Sequence, residues 1–125
     1  MLRKTALFTY VTVVTGLSLL PSNALPIPDS AMFAHADKVA HFAMYALFTF
    51  LLFYAFPERF NGSLAQFLPL VYVLAWGTLM EILQGIGGYG RNFSLVDILA
   101  NGLGFFPGWI VWRWGFAQRY RSRNK

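Results

Sequence analysis

The chain has 125 residues, of which 57% are hydrophobic and 12% charged, about half the charged share of an ordinary soluble domain. A soluble core of this length cannot hide so much apolar side chain, so a soluble enzyme and a disordered chain are excluded and the composition points to an all-α integral membrane protein. With no cysteine and only His35 and His41 as histidines, disulfides, thiolate sites, Cys nucleophiles and a His-rich metal site are excluded too.

The net charge of +5 gathers at the C-terminus, in Arg113, Arg119, Arg121, Arg123 and Lys125. In a membrane chain such a tail reads as an anchor against anionic lipid on the cytoplasmic side rather than as a nucleic-acid site. The expected partner is the lipid bilayer, with no nucleic acid.

Charge-free runs at 5–28, 39–57, 60–80 and 98–112 mark the spans, since a hydrocarbon core of about 30 Å takes ~20 helical residues to cross. The reading predicts helices near 5–21, 38–56, 64–84 and 95–114, a four-transmembrane-helix bundle making one domain over 1–125, with 115–125 as a basic tail. The first helix is ambiguous. Arg3-Lys4 before an apolar run, with Ser22-Asn23-Ala24 after it, also fits a signal peptide. The loop Pro21–Asp37 carries three prolines and should begin extended. Pro57 should end the second helix and the glycines from Gly85 to Gly90 the third. Pro69 and Pro107 fall inside predicted spans, where membrane helices tolerate kinks.

Basic residues set the orientation. With the N-terminus inside, eight of the ten lie inside and only Lys38 and Arg91 outside, which places both termini in the cytoplasm. Trp109, Trp112 and Trp114 then form an aromatic belt at the inner interface. The environment implied is the cytoplasmic membrane of a bacterial cell, crossed several times. Gly85, Gly87 and Gly90 match the dinucleotide fingerprint, but a strand should precede those glycines and here a membrane helix does, so the match is set aside.

The remaining polar residues converge on the outer face. Asp37, Lys38 and His41 begin the second helix, with Tyr45 one turn deeper. Glu81 and Gln84 end the third, Arg91 lies in the loop, and Asp97 and Asn101 begin the fourth. At about 100° per residue, Asp37, His41 and Tyr45 share a face with Met44 and Phe48; Glu81 and Gln84 share one with Gly77; Asp97 and Asn101 share one with Gly104 and Gly108, flanked by Ala100. Ala100, Gly104 and Gly108 form a stripe of small residues that lets helices approach closely.

Each polar residue also has a plainer reading. Ser94-x-x-Asp97 resembles a capping box, and Asp37 could cap the second helix. Lys38 could snorkel, His41 could be a hydrogen-bonded core residue, Gln84 and Asn101 could glue helices, and Arg91 could touch lipid phosphate. Glu81 fits a plain reading least. A carboxylate in a helix's last turn opposes the macrodipole, and a bare charge at the membrane edge is expensive. It should be paired, with Arg91 the first candidate and Lys38 or His41 within reach, or else protonated.

The ordered set Asp37-Lys38-x-x-His41-x-x-x-Tyr45, Glu81-x-x-Gln84 and Arg91-x-x-Ser94-x-x-Asp97-x-x-x-Asn101-x-x-Gly104 resembles the polar signature of the VanZ-like family over about residues 36–112. The resemblance implies a small multi-helix membrane protein. The family's founding member is associated with resistance to the glycopeptide teicoplanin, and the resemblance supplies no catalytic residue. Three classes of function follow: a non-enzymatic cell-envelope module binding a lipid headgroup or lipid-linked precursor at the outer face, a membrane-embedded enzyme using His41 with Glu81 or Asp97 for acid–base chemistry, or a polar cluster that only locks the bundle. Asp37, His41, Glu81 and Asp97 have ligand types suited to a divalent cation, yet the reading assigns neither metal nor cofactor.

Overall fold

The computed structural model describes residues 1–20, 24, 36–88 and 92–123, with Ala36, Asp37, Arg121 and Arg123 described by their backbone alone. Helix α1 spans Leu2–Ser18, α2 Ala36–Ala55, α3 Leu68–Ile86 and α4 Leu95–Val111, and no strand occurs among the described residues. A 3-10 turn at Ala65–Phe67 leads into α3, and a π-helical stretch at Trp112–Phe116 carries α4 into α5, Ala117–Arg123. Much of the segment read as a tail from 115 onward is therefore helical.

Three of these helical stretches are long and apolar enough to cross a membrane: Lys38–Ala55, Ala65–Ile86 and Leu95–Tyr120. Helix α1 has 17 residues, at the short end of what a bilayer core accepts. Large apolar side chains such as Val39, Leu47, Val71, Leu79, Leu99, Leu103 and Ile110 point outward, as lipid-facing positions should.

Local chemistry explains the helix ends. Pro69 falls inside the span-capable stretch Ala65–Ile86, at the first turn of α3, where a missing N–H costs nothing. Pro107 lies inside α4. α2 stops at Ala55, two residues before Pro57. α3 ends at Ile86, followed by Gly88 at φ +68°, a conformation that favours glycine. A helix, not a strand, leads into those glycines, so the dinucleotide match stays discarded.

Side-chain contacts give the helix directions. The Arg3 guanidinium lies over the rings of Tyr54 and Tyr120, so the start of α1, the end of α2 and α5 share one end of the bundle. Gln84 Nε2 donates to the Ser18 carbonyl at 2.7 Å, joining the ends of α1 and α3 at the other. The core between is largely aromatic: Tyr45, Phe53 and Phe105 are almost fully buried, with Phe48, Phe60 and Trp112 around them. Trp112 is buried and stacks on Phe53 at 6.2 Å, whereas Trp114 is exposed.

The α2–α4 interface rests on the small-residue stripe. A Cβ built on Gly104 would lie 2.6 Å from the Phe42 carbonyl oxygen and 2.9 Å from the Ala46 nitrogen. One on Gly108 would strike the Ala46 carbonyl and lie 2.7 Å from Thr49 Cβ. Ala100 is half-buried beside them. Glycine lets the two backbones touch, and that closeness sets the height at which the polar residues of α2 and α4 meet.

Candidate functional site

His41 near the start of α2, Glu81 near the end of α3, and Asp97 and Asn101 on the first turns of α4 come together at the end of the bundle away from Arg3 and Tyr120. All four side chains are buried. His41 Nδ1 and Asn101 Oδ1 are 3.0 Å apart. A carboxamide oxygen only accepts, so Nδ1 donates and the neutral ring keeps its lone pair on Nε2. That nitrogen faces Glu81 Oε1 at 3.9 Å. Tyr45, one turn deeper, lies nearly parallel to the imidazole, with ring centroids 6.4 Å apart. The Asn101 side chain packs on Gly77, where a Cβ would stand 2.6 Å from its Nδ2. Gly77 thus makes room for the residue that orients the histidine.

Glu81 finds a partner that periodicity could not reveal. Its Oε2 accepts the Ser94 backbone N–H at 3.0 Å. Ser94 is the N-cap of α4, and its Oγ accepts the Asp97 N–H at 3.2 Å. In a capping box the acid three residues into the helix would reach back to that cap N–H. Here Glu81 from the neighbouring helix takes that place. The arrangement sets Glu81 against the positive end of α4, which offsets the unfavourable end of its own helix, and it releases the Asp97 carboxylate. Asp97 Oδ1 is buried, has no hydrogen-bond partner among the described residues, and lies 3.9 Å from Lys38 Nζ. Lys38 stands at the rim, with 39% of its side chain exposed.

Of the residues expected to converge, Lys38, His41, Tyr45, Glu81, Asp97 and Asn101 therefore do so. Gln84 turns instead to Ser18 at the end of α1. Arg91, the first candidate partner of Glu81, and the side chain of Asp37 lie outside the described residues. Two contributions from α1 have no signal in residue spacing. The Tyr10 hydroxyl donates to the Met44 carbonyl at 2.6 Å, and Ser18 receives Gln84. Thr49 is also buried, against the stripe. It sits eight residues after His41 on the same face, a spacing that could have revealed it.

Donor atoms of His41, Glu81 and Asp97 all lie within 4.8 Å of one another. Chemically the group offers one imidazole nitrogen and two carboxylates with little solvent, able to hold a proton or a small cation. A cleft of about 280 Å³ lined by Gln66, Trp109 and Arg113 lies at the opposite end, away from this cluster. Comparisons with curated proteins and with solved structures yield no match. Among protein families, the VanZ/LLP1 model matches residues 3–116, covering every helix that builds the polar cluster, and the chain belongs to that family.

Proposed function

We propose that the chain is a cell-envelope module of the bacterial cytoplasmic membrane. It crosses four times with both termini inside, and binds an anionic envelope component, a lipid headgroup or a lipid-linked precursor, at its outer face. The 8:2 distribution of basic residues supports the orientation, and the packing of α1 along α2 through Leu7 and Tyr10 supports the fourth span. The observation that carries the binding role is the burial of three ionisable side chains, His41, Glu81 and Asp97, at one end of an apolar bundle. Locking helices together needs only amides, and intramembrane ionisable groups are costly to keep without a task. Lys38, partly exposed beside Asp97, offers the ammonium that an anion would meet first.

The test reconstitutes the protein in phosphatidylcholine nanodiscs and measures capture of phosphatidylglycerol and of a polyprenyl diphosphate. Preferential capture of either, weakened by Lys38→Gln at unchanged membrane abundance, is the expected result. Equal capture by both proteins and by empty discs overturns it. An enzymatic reading has one observation in its favour, the oriented His41 beside Glu81, and release of phosphate from the same diphosphate would establish it. A link to teicoplanin-type resistance follows from the family alone; unchanged teicoplanin susceptibility after deletion of the gene would remove it.

A further inference from the structure

We propose that His41, Glu81 and Asp97 form a buried site for one first-row divalent cation of the Zn²⁺ or Mn²⁺ class, held through His41 Nε2 and the two carboxylates.

The geometry of His41 comes first. Asn101 Oδ1 accepts the hydrogen bond from Nδ1–H, so in the neutral ring the Nε2 lone pair faces Glu81 Oε1. A hydrogen-bonded partner for the far ring nitrogen is the usual arrangement behind a metal-bound histidine. The 3.9 Å from Nε2 to Oε1 exceeds a hydrogen bond, which ends near 3.2 Å. It is instead a separation that one ion can bridge, since bonds of about 2.0–2.2 Å to nitrogen and oxygen let two ligands stand up to ~4.2 Å apart.

Asp97 provides the second, independent observation. It is 94% buried by its 6% exposure, and its Oδ1 has no hydrogen-bond donor among the described residues. The Lys38 ammonium, with Nζ at 3.9 Å from Asp97 Oδ1, is also beyond hydrogen-bond range. Capping does not explain this carboxylate, because Ser94 Oγ and Glu81 Oε2 already serve the start of α4. Asp97 Oδ1 thus lies within the 4.8 Å group as an acceptor suited to a cation.

Binding draws the donors together, by about 1 Å for the His41–Glu81 pair at 3.9 Å and by up to roughly 2 Å for a pair at the 4.8 Å limit, because adjacent ligands of such an ion stand about 3 Å apart. Side-chain rotation on three packed helices supplies that shift. One imidazole and two carboxylates are a borderline-to-hard set, which favours Zn²⁺ or Mn²⁺ over thiophilic ions. Three protein ligands leave at least one position open. If the headgroup reading above holds, a phosphate oxygen would take it, but the cation site stands without that reading.

The experiment therefore uses no anionic lipid. The full chain, stripped with chelator in phosphatidylcholine nanodiscs, is titrated calorimetrically with Zn²⁺, Mn²⁺, Mg²⁺ and Ca²⁺. Expected are one Zn²⁺ or Mn²⁺ per chain and weaker Mg²⁺ and Ca²⁺. His41→Ala and Asp97→Asn should each lower affinity at least tenfold, while His35→Ala should leave it unchanged. Pulsed EPR of the Mn²⁺-loaded wild-type protein should show one imidazole nitrogen, which decides the matter even if a variant fails to fold. Absence of stoichiometric binding, absence of the nitrogen coupling, or undiminished affinity in folded His41→Ala overturns the proposal. Loss of lipid capture with intact metal binding would overturn the headgroup reading instead.

Discussion

Replacing Gly104 with alanine places one methyl group where the α2 backbone already stands. The new Cβ would lie 2.6 Å from the Phe42 carbonyl oxygen, 2.9 Å from the Ala46 nitrogen and 3.1 Å from the Tyr45 carbonyl carbon. A carbon–oxygen contact needs about 3.3 Å, so the helices must part by roughly 0.7 Å, and backbone atoms cannot rotate away as a side chain would. His41 neighbours Phe42, and Asn101 lies one turn before Gly104. Passed on in full, the displacement stretches their 3.0 Å hydrogen bond to about 3.7 Å, past its useful range. Overpacking costs about 1–3 kcal/mol and the hydrogen bond about 0.5–1.5 kcal/mol, while alanine returns about 1 kcal/mol of helix propensity. The net destabilisation is then roughly 0.5–3.5 kcal/mol. Gly115→Ala is the control, because nothing lies within 4 Å of its added Cβ, and it should be neutral or slightly stabilising. Denaturant unfolding in detergent, followed by tryptophan fluorescence, measures both. A Gly104→Ala protein as stable as wild type, or a Gly115→Ala protein equally damaged, would refute the close-approach argument.

Glu81→Ala should cost about 1–3 kcal/mol more than Glu81→Gln in the same unfolding assay, because glutamine keeps an acceptor for the Ser94 N–H and alanine strands it; equal losses would mean the cap is not made. Tyr10→Phe removes the hydroxyl bonded to the Met44 carbonyl and should cost about 0.5–1.5 kcal/mol, with an unchanged midpoint counting against docking of α1 on α2. Reporter fusions at Lys125 and after Gly88 should report opposite sides of the membrane, cytoplasmic for Lys125; an external signal at Lys125 would reverse the proposed topology.

Hydropathy and helical spacing are local properties, so the sequence by itself determined what depends on them. Charge-free runs located α2, α3 and α4, and the four-residue spacing of Ala100, Gly104 and Gly108 identified the face that α2 meets. The same periodicity brought His41, Glu81, Asp97 and Asn101 to one end, because each lies near a helix terminus and alternate helices run in opposite directions. Partner identity was beyond that reasoning. It depends on the relative height and rotation of separate helices, set by how closely Gly104 and Gly108 let α2 and α4 approach. Only the tertiary structure could therefore show Glu81 capping α4 through Ser94, Asn101 directing the His41 ring, and Gln84 turning away to Ser18. The helical reach of α5 through Arg123 is a similar case. A basic stretch reads in sequence as a tail anchored against anionic lipid, yet Arg3 over Tyr120 and the Tyr120 hydroxyl bonded to Glu58 at 2.8 Å hold that helix against the bundle.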